Sequence, residues 1–246
     1  MRYFVTLSYD GTNYHGWQIQ PQKNAVSVQQ TLQDAFCMLL QKQISVVGAG
    51  RTDAGVHARM MVAHFDLNDD TSLDVCQLAY KLNKVLPNDI AVQKIEQVSD
   101  DMHARFSALS RTYHYFLHFG KDPFLRHYSW KMYGSLNFER MNEAAQHLLR
   151  YRDFSSFSKS NTDTKTNECV VTEAVWEEIS PDVWRFTITA NRFLRNMVRA
   201  IVGTLVEVGR GRLTVQGFCD VIEKKDRQMA GDSVPASGLF LMNVTY

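Results

Sequence analysis

Residues 48–58 read Gly-Ala-Gly-Arg-Thr-Asp-Ala-Gly-Val-His-Ala, which sets one carboxylate, that of Asp53, among three glycines and an arginine. The apolar run 44–47 enters this segment and a second run, 60–65, leaves it. Asp53 is therefore expected on a loop between two sheet strands, where folds expose chemistry. Gly48, Gly50 and Gly55 permit positive φ and let a bulky ligand approach the main chain, and Arg51 supplies a fork of donors suited to phosphate. Quieter readings of the same residues stand beside a catalytic one. An Asp next to Gly commonly bonds its own backbone in an Asx-turn. Gly-x-Gly here lacks the later glycine of a dinucleotide fingerprint and the Gly-Lys-Ser/Thr ending of a P-loop, so neither nucleotide motif is met. Asp53 and His57, four apart, have no third metal ligand at helical spacing nearby.

Two further groupings bear on this loop. In residues 111–115, strand alternation sends Tyr113 and Tyr115 to one face and His114 to the other. Two tyrosines on one face are most often core; one presenting its ring in a cleft would give a flat nucleobase a stacking platform worth about 1–3 kcal/mol. In residues 191–209, helical rotation puts Val198, Ile201, Val202, Leu205 and Val208 on one stripe, with Arg195 and Arg199 along its edge. Gly203 falls on the arginine side, where the missing side chain leaves room for a close neighbour. Between residues 191 and 212, Arg192, Arg195, Arg199, Arg210 and Arg212 stand against the single acid Glu207. Such a patch could meet phosphates, although snorkelling over the core would account for one or two of these arginines.

These residues need a scaffold. Residues 2–9 alternate like a strand, and Ser27-Val28-Gln29-Gln30 has capping-box spacing ahead of Val28, Leu32, Ala35, Phe36 and Leu39, an amphipathic helix. After Asp53, a strand at 60–66 leads to a helix near 73–86 with Val75, Leu78, Ala79 and Leu82 inward, then Pro87-Asn88-Asp89 turns into a strand at 91–98. The first half is thus β-α-β-β-α-β, the order of a ferredoxin-like sandwich. The second half restarts with an aromatic strand at 111–119 and a helix near 137–150, followed by strands at 169–179 and 183–190. Helices near 194–208 and 214–224 precede a final strand at 239–246. The expected boundary lies near residue 108, giving subdomains 1–108 and 109–246. Residues 154–167, rich in Ser, Thr, Asn and Lys, read as a long mobile loop, either solvated surface or a lid.

With 246 residues, 45% of them hydrophobic, the chain can bury a sizeable core. The cysteines Cys37, Cys76, Cys169 and Cys219 form no C-x-x-C pair, which argues against zinc or a disulfide framework and for a reducing cytoplasm. The N-terminus lacks a signal peptide's apolar core, and the apolar stretch 193–208 is broken by Arg195, Asn196, Arg199 and Glu207, so neither secretion nor a membrane anchor is expected. Net charge is +1, from 27 Lys and Arg against 26 Asp and Glu. That is not the strongly basic balance of a generic nucleic-acid binder, so the local arginine cluster carries more weight than the sum.

Together these motifs resemble the TruA family of tRNA pseudouridine synthases over nearly the whole chain. The matching stretches include Leu7-Ser8-Tyr9-Asp10-Gly11-Thr12-Asn13-Tyr14-His15-Gly16-Trp17-Gln18, residues 50–58, Leu86-Pro87-Asn88-Asp89-Ile90-Ala91-Val92 and His103-Ala104-Arg105-Phe106-Ser107-Ala108. Residues 111–115 and 193–203 and Gly238-Leu239-Phe240-Leu241 continue the match. Gln33 and Phe240 depart mildly, standing where the family often has Glu and Tyr. The resemblance implies an α+β fold of two ferredoxin-like-derived subdomains with largely antiparallel sheets meeting around a central cleft. It implies isomerisation of uridine to pseudouridine in the anticodon stem and loop of tRNA, at positions 38, 39 and 40. Asp53 is then the catalytic aspartate, paired by Arg199; Tyr113 stacks on the target uracil, Arg51 helps expel it, and Arg105 and Arg195 complete the substrate-binding set. No cofactor or metal is expected, the partner is tRNA, and the family's habit implies a cytoplasmic homodimer without membrane attachment. The alternatives are a non-catalytic tRNA-binding protein or RNA chaperone, which would not need Asp53, and a metal-dependent hydrolase using Asp53, His57 and His64.

Overall fold

The computed structural model describes residues 1–21, 25–67, 73–159 and 166–246. They form a mixed α/β protein with largely antiparallel sheet pairing, organised as two compact units. The first holds Met1–Leu109 and Phe240–Tyr246, the second Ser110–Leu239.

The first unit follows the β-α-β-β-α-β order: β1 (Arg2–Tyr9), α1 (Val28–Leu40), β2 (Val47–Gly48), β3 (His57–Asp66), α2 (Val75–Val85) and β4 (Ile90–Val98). β1 lies between β3 and β4, antiparallel to both. α1 begins where the capping residues place it, with the Ser27 hydroxyl accepting from the Gln30 amide, and it buries Val28, Leu32, Ala35 and Phe36. Asp74 caps α2 by accepting from the Gln77 amide, and Leu78 and Leu82 are buried.

One strand differs from expectation. Residues 44–47 read as a strand, yet only Val47 and Gly48 pair with β3. Side chains of α1 take the preceding backbone groups instead. The Val46 amide donates to Gln33 Oε1 (2.9 Å), its carbonyl accepts from Gln29 Nε2 (2.7 Å), and the Ile44 amide donates to Cys37 Sγ. The segment is apolar and buried at Ile44 and Val46, but its backbone hydrogen bonds are met by the helix and not by a ladder.

Within this unit His64 is buried on β3, its Nδ1 accepting from the Ala104 amide at 3.2 Å and its ring against His103. Burial first, then the charges of Arg2 and His103, lower its pKa to about 4. The unfolded chain therefore binds this proton more readily than the folded one. Stability is fully present above about pH 6.5 and declines as pH falls from there through 4, by on the order of 3 kcal/mol in all, of which roughly 2 is lost by pH 5. Urea unfolding at pH 7 and pH 5 should show that loss, and His64→Gln should flatten it without removing it, because burial lowers His103 in the same sense.

The second unit is built from β5 (Ser110–Phe119), β6 (Trp130–Met132), α3 (Phe138–His147), β7 (Val171–Ser180), β8 (Val183–Ala190), α4 (Met197–Gly209) and α5 (Val215–Lys224). β8 pairs antiparallel with β5 and β7, and β6 adds to β5 in parallel. Asn137 caps α3, which closes the edge strand β7: Asn142 brackets Trp176 by donating to its carbonyl (3.0 Å) and accepting from its amide (2.7 Å). α4 is buried on nearly every side, from Met197 to Gly209, so the one-sided stripe expected for it is replaced by a helix packed all round.

Residues 154–157 correct the expected mobile loop. Phe154, Ser156 and Phe157 are fully buried, Ser155–Phe157 form a short 3-10 helix, and Ser156 Oγ donates to the Val221 carbonyl. Two aromatic rings anchor the start of a segment whose composition reads as polar. Residues 160–165, on which the lid reading also falls, lie outside the described residues. Strand β9 (Leu239–Thr245) ends the chain, and His57 and Ala58 of β3 pair in parallel with its Phe240 and Leu241.

Candidate active site

In the first unit Asp53 sits on the connection between β2 and β3, half-buried, between buried Thr52 and exposed Ala54. Main-chain bonds shape that connection. The Val56 amide donates back to the Asp53 carbonyl at 3.2 Å, and Gly55 takes φ +79. Residues 11–17 grip it from outside. The Trp17 amide donates to the Thr52 carbonyl, the Gly55 amide to the Tyr14 carbonyl, and the Tyr9 and Thr52 hydroxyls meet at 2.8 Å.

Two glycines make the grip possible. A Cβ at Gly11 would stand 2.0 Å from the Val56 carbonyl oxygen, and one at Gly16, where φ is +88, would stand 2.2 Å from that of Thr52. Tyr14 Oη in turn donates to Asp89 Oδ1 at 2.6 Å, so the turn before β4 braces the same segment, and burial together with Asp89 raises the phenol pKa. The carboxylate thus rides on a backbone held from one side by fixed main-chain contacts. Arg51, two residues away, is exposed.

His57 opens β3 almost fully buried, with Nδ1 3.0 Å from both the Gly11 amide and Asp10 Oδ1 and its ring stacked on Phe240 at 4.5 Å. Its position is that of a structural post beneath the loop. His64 is occupied by Ala104, as described above. Arg105 belongs to the adjoining turn, where the Arg105 amide donates to His103 Nδ1 and Tyr246 Oη donates to the Ala104 carbonyl. Its guanidinium lies over the ring of Phe106, which is 76% exposed.

The second unit separates the two tyrosines of β5. Tyr115 is core: it has no exposed surface, its hydroxyl donates to the Pro235 carbonyl at 3.0 Å, and burial raises its pKa. Tyr113 is half-buried, and the ring of Phe193 meets it edge to face at 5.1 Å. Of the two tyrosines, Tyr113 is the one that is not fully buried.

Arg199 lies on the first turn of α4, half-buried, with Nε donating to the Val234 carbonyl at 2.7 Å and its own carbonyl accepting from the Val234 amide. The close neighbour expected at Gly203 is the Asp232 carbonyl, whose oxygen would be 1.8 Å from a Cβ there. Residues 231–234 therefore lie directly on the helix and orient the arginine.

Arg195 departs from expectation. It is exposed and precedes the helix, because Asn196 adopts φ +68 and α4 begins only at Met197. The five arginines also do not make one patch. Arg210 and Arg212 pair with Glu207 at 2.8 and 3.4 Å at the far end of α4, eleven residues or roughly 16 Å from Arg199. Residues 11–17 are what the reading of single residues missed as site-forming, and the glycines at 11 and 16 were the available signal.

The chain belongs to the tRNA pseudouridine synthase family, whose sequence model matches residues 6–107 and 144–246. Among its relatives, the tRNA pseudouridine synthase A of Bacteroides thetaiotaomicron is 58% identical over all of this chain and 90% of its own length. That of Parabacteroides distasonis is 56% identical over all of this chain and 96% of its own. The more distant protein of the same name from Thermoanaerobacter pseudethanolicus is 42% identical, with 98% of each chain covered.

Proposed function

We propose that this protein isomerises uridine to pseudouridine in the anticodon arm of tRNA, with Asp53 as the nucleophile. Full-length similarity to synthases of that name supports the reaction, and the observation that carries the residue assignment is the clamp that holds the loop of half-buried Asp53 by its backbone. The reaction breaks N1–C1′, turns the freed uracil and joins C5 to C1′; N1 gains a proton and C5 gives its proton to solvent. A carboxylate attacking either the ring or the sugar C1′ fits this balance. Because the target can be paired, extruding it costs a few kcal/mol, which stacking on Tyr113 and phosphate contacts by Arg51, Arg105 and Arg195 offset. Arg199, permanently charged and positioned by Val234, is the residue assigned to pair with the catalytic carboxylate.

The partner is tRNA, bound across a symmetric homodimer in the cytoplasm. Among the described residues no helix is long and apolar enough to cross a membrane. Purified protein should release tritium from tRNA labelled at C5 of uridine, in EDTA as in buffer, with pseudouridine mapping to the anticodon arm. Tight tRNA binding without release would overturn the enzyme reading in favour of a tRNA chaperone. Arg199→Ala should lower single-turnover release by about 100-fold while raising the Kd for tRNA less than about threefold. Equal losses in both would place the arginine on the outer RNA surface.

A further inference from the structure

The second unit carries a cavity of about 470 Å³ between the chain that follows β5 and residues 235–237. Its buried floor is His118 and Ser129, with Nδ1 and Oγ 3.0 Å apart. Burial lowers the His118 pKa against the pull of Asp122, so the floor offers neutral hydrogen-bonding groups. Lys121, Arg126 and Lys131 surround it, and Asp122 is the acid among the described lining residues. Three cations to one carboxylate, over a neutral polar floor, is a site for an anion.

The same stretch exposes aromatic rings that a small-anion site has no use for. Phe124 is 86% exposed, Tyr133 77% and Tyr128 42%, with the Lys131 ammonium 4.9 Å over the Tyr133 ring. Cations interleaved with exposed aromatic rings suit a polymer that has phosphates and bases at short intervals. The volume exceeds what a bare phosphate fills and suits a phosphate with part of its sugar. His118 stands five residues beyond Tyr113 on β5, roughly 17 Å along the strand, further than one everted nucleotide spans.

We propose that this cavity is a phosphate-binding pocket for the backbone of the RNA substrate, a second contact on the second unit separate from the residues that handle the target base. It rests on the reading of tRNA as substrate. Each phosphate it neutralises releases counterions, so its contribution appears in the salt dependence of binding.

The test compares wild type with Lys121→Gln/Arg126→Gln/Lys131→Gln by tRNA binding from 50 to 300 mM salt and by tritium release. The variant should bind tRNA at least about tenfold more weakly near 150 mM salt, with the slope of log K against log salt smaller by about 2, and KM should rise in parallel. A control, Lys81→Gln/Lys84→Gln, removes exposed charge from α2. Unchanged slope in the triple variant, or an equal change in the control, would overturn the proposal. Should the triple variant lose its fold, Lys121→Gln/Arg126→Gln, both exposed, carries the same test with a slope change of about 1 to 2. Inorganic phosphate titrated into both proteins separates the sources. Phosphate binding lost in the triple variant with tRNA affinity retained would make this a small-anion site and overturn the RNA assignment. Wild-type protein that neither binds nor isomerises tRNA would refute the function itself; active wild type with an unaffected variant refutes the pocket alone.

Discussion

Asp53→Asn is expected to lower tritium release from C5-labelled tRNA by about 10⁴-fold or more while changing the Kd for tRNA less than about threefold. The amide matches the carboxylate in size, and the bonds that shape its loop run through the backbone of residues 52, 53 and 55, so the loop survives the change. What is lost is the negative oxygen that attacks, and a neutral amide oxygen is a poor nucleophile. The measurement is single-turnover release with enzyme in excess, accompanied by filter binding. Retained turnover would remove Asp53 from the chemistry. A parallel loss of binding would make it a structural residue, which the main-chain clamp argues against. Asp53→Glu, which keeps the charge, should lose less, on the order of 100-fold, because a longer side chain on an unmoved backbone carries its oxygens past the reacting atom by about 1 Å.

Much of this frame was legible where local signals are strong. Ser27 caps the helix it precedes, and the alternation of residues 2–9 becomes β1 without displacement. Local signals failed where distant groups decide. The backbone of residues 44–46 is claimed by Gln29, Gln33 and Cys37 of α1, so an apolar run becomes a packed segment with a two-residue strand. β6 is three residues long, too short for alternation to register. In the site, glycine and arginine around Asp53 marked the loop, yet its grip by residues 11–17 joins positions some forty residues apart and left only the glycines as a trace. Tyr113 and Tyr115 are equivalent by pattern; the Pro235 carbonyl, 120 residues on, makes Tyr115 core. Arg195 and Arg199 were separated by a left-handed Asn196 that no spacing rule anticipates.

That dependence on one glycine gives the second large effect. Gly16→Ala should destabilise the protein by about 3 kcal/mol, of which about 1 comes from the left-handed backbone and the rest from overlap. The new methyl would stand 2.2 Å from the Thr52 carbonyl oxygen and 3.0 Å from the Asp53 carbonyl carbon, both of them backbone that cannot rotate away. Relief requires the loop to move by about 1 Å from residues 11–17, breaking the Trp17 to Thr52 hydrogen bond and carrying the carboxylate with it. Tritium release should accordingly fall by about 100-fold even at temperatures where the variant is fully folded. Gly134→Ala separates the two costs, since Gly134 has φ +81 with nothing within 4 Å of its Cβ position. It should lose about 1 kcal/mol and keep its activity. Urea melts and release assays on the pair decide the matter. If Gly16→Ala matches Gly134→Ala in stability and retains its rate, the clamp does not position Asp53, and the carboxylate must be oriented by its own side-chain contacts instead.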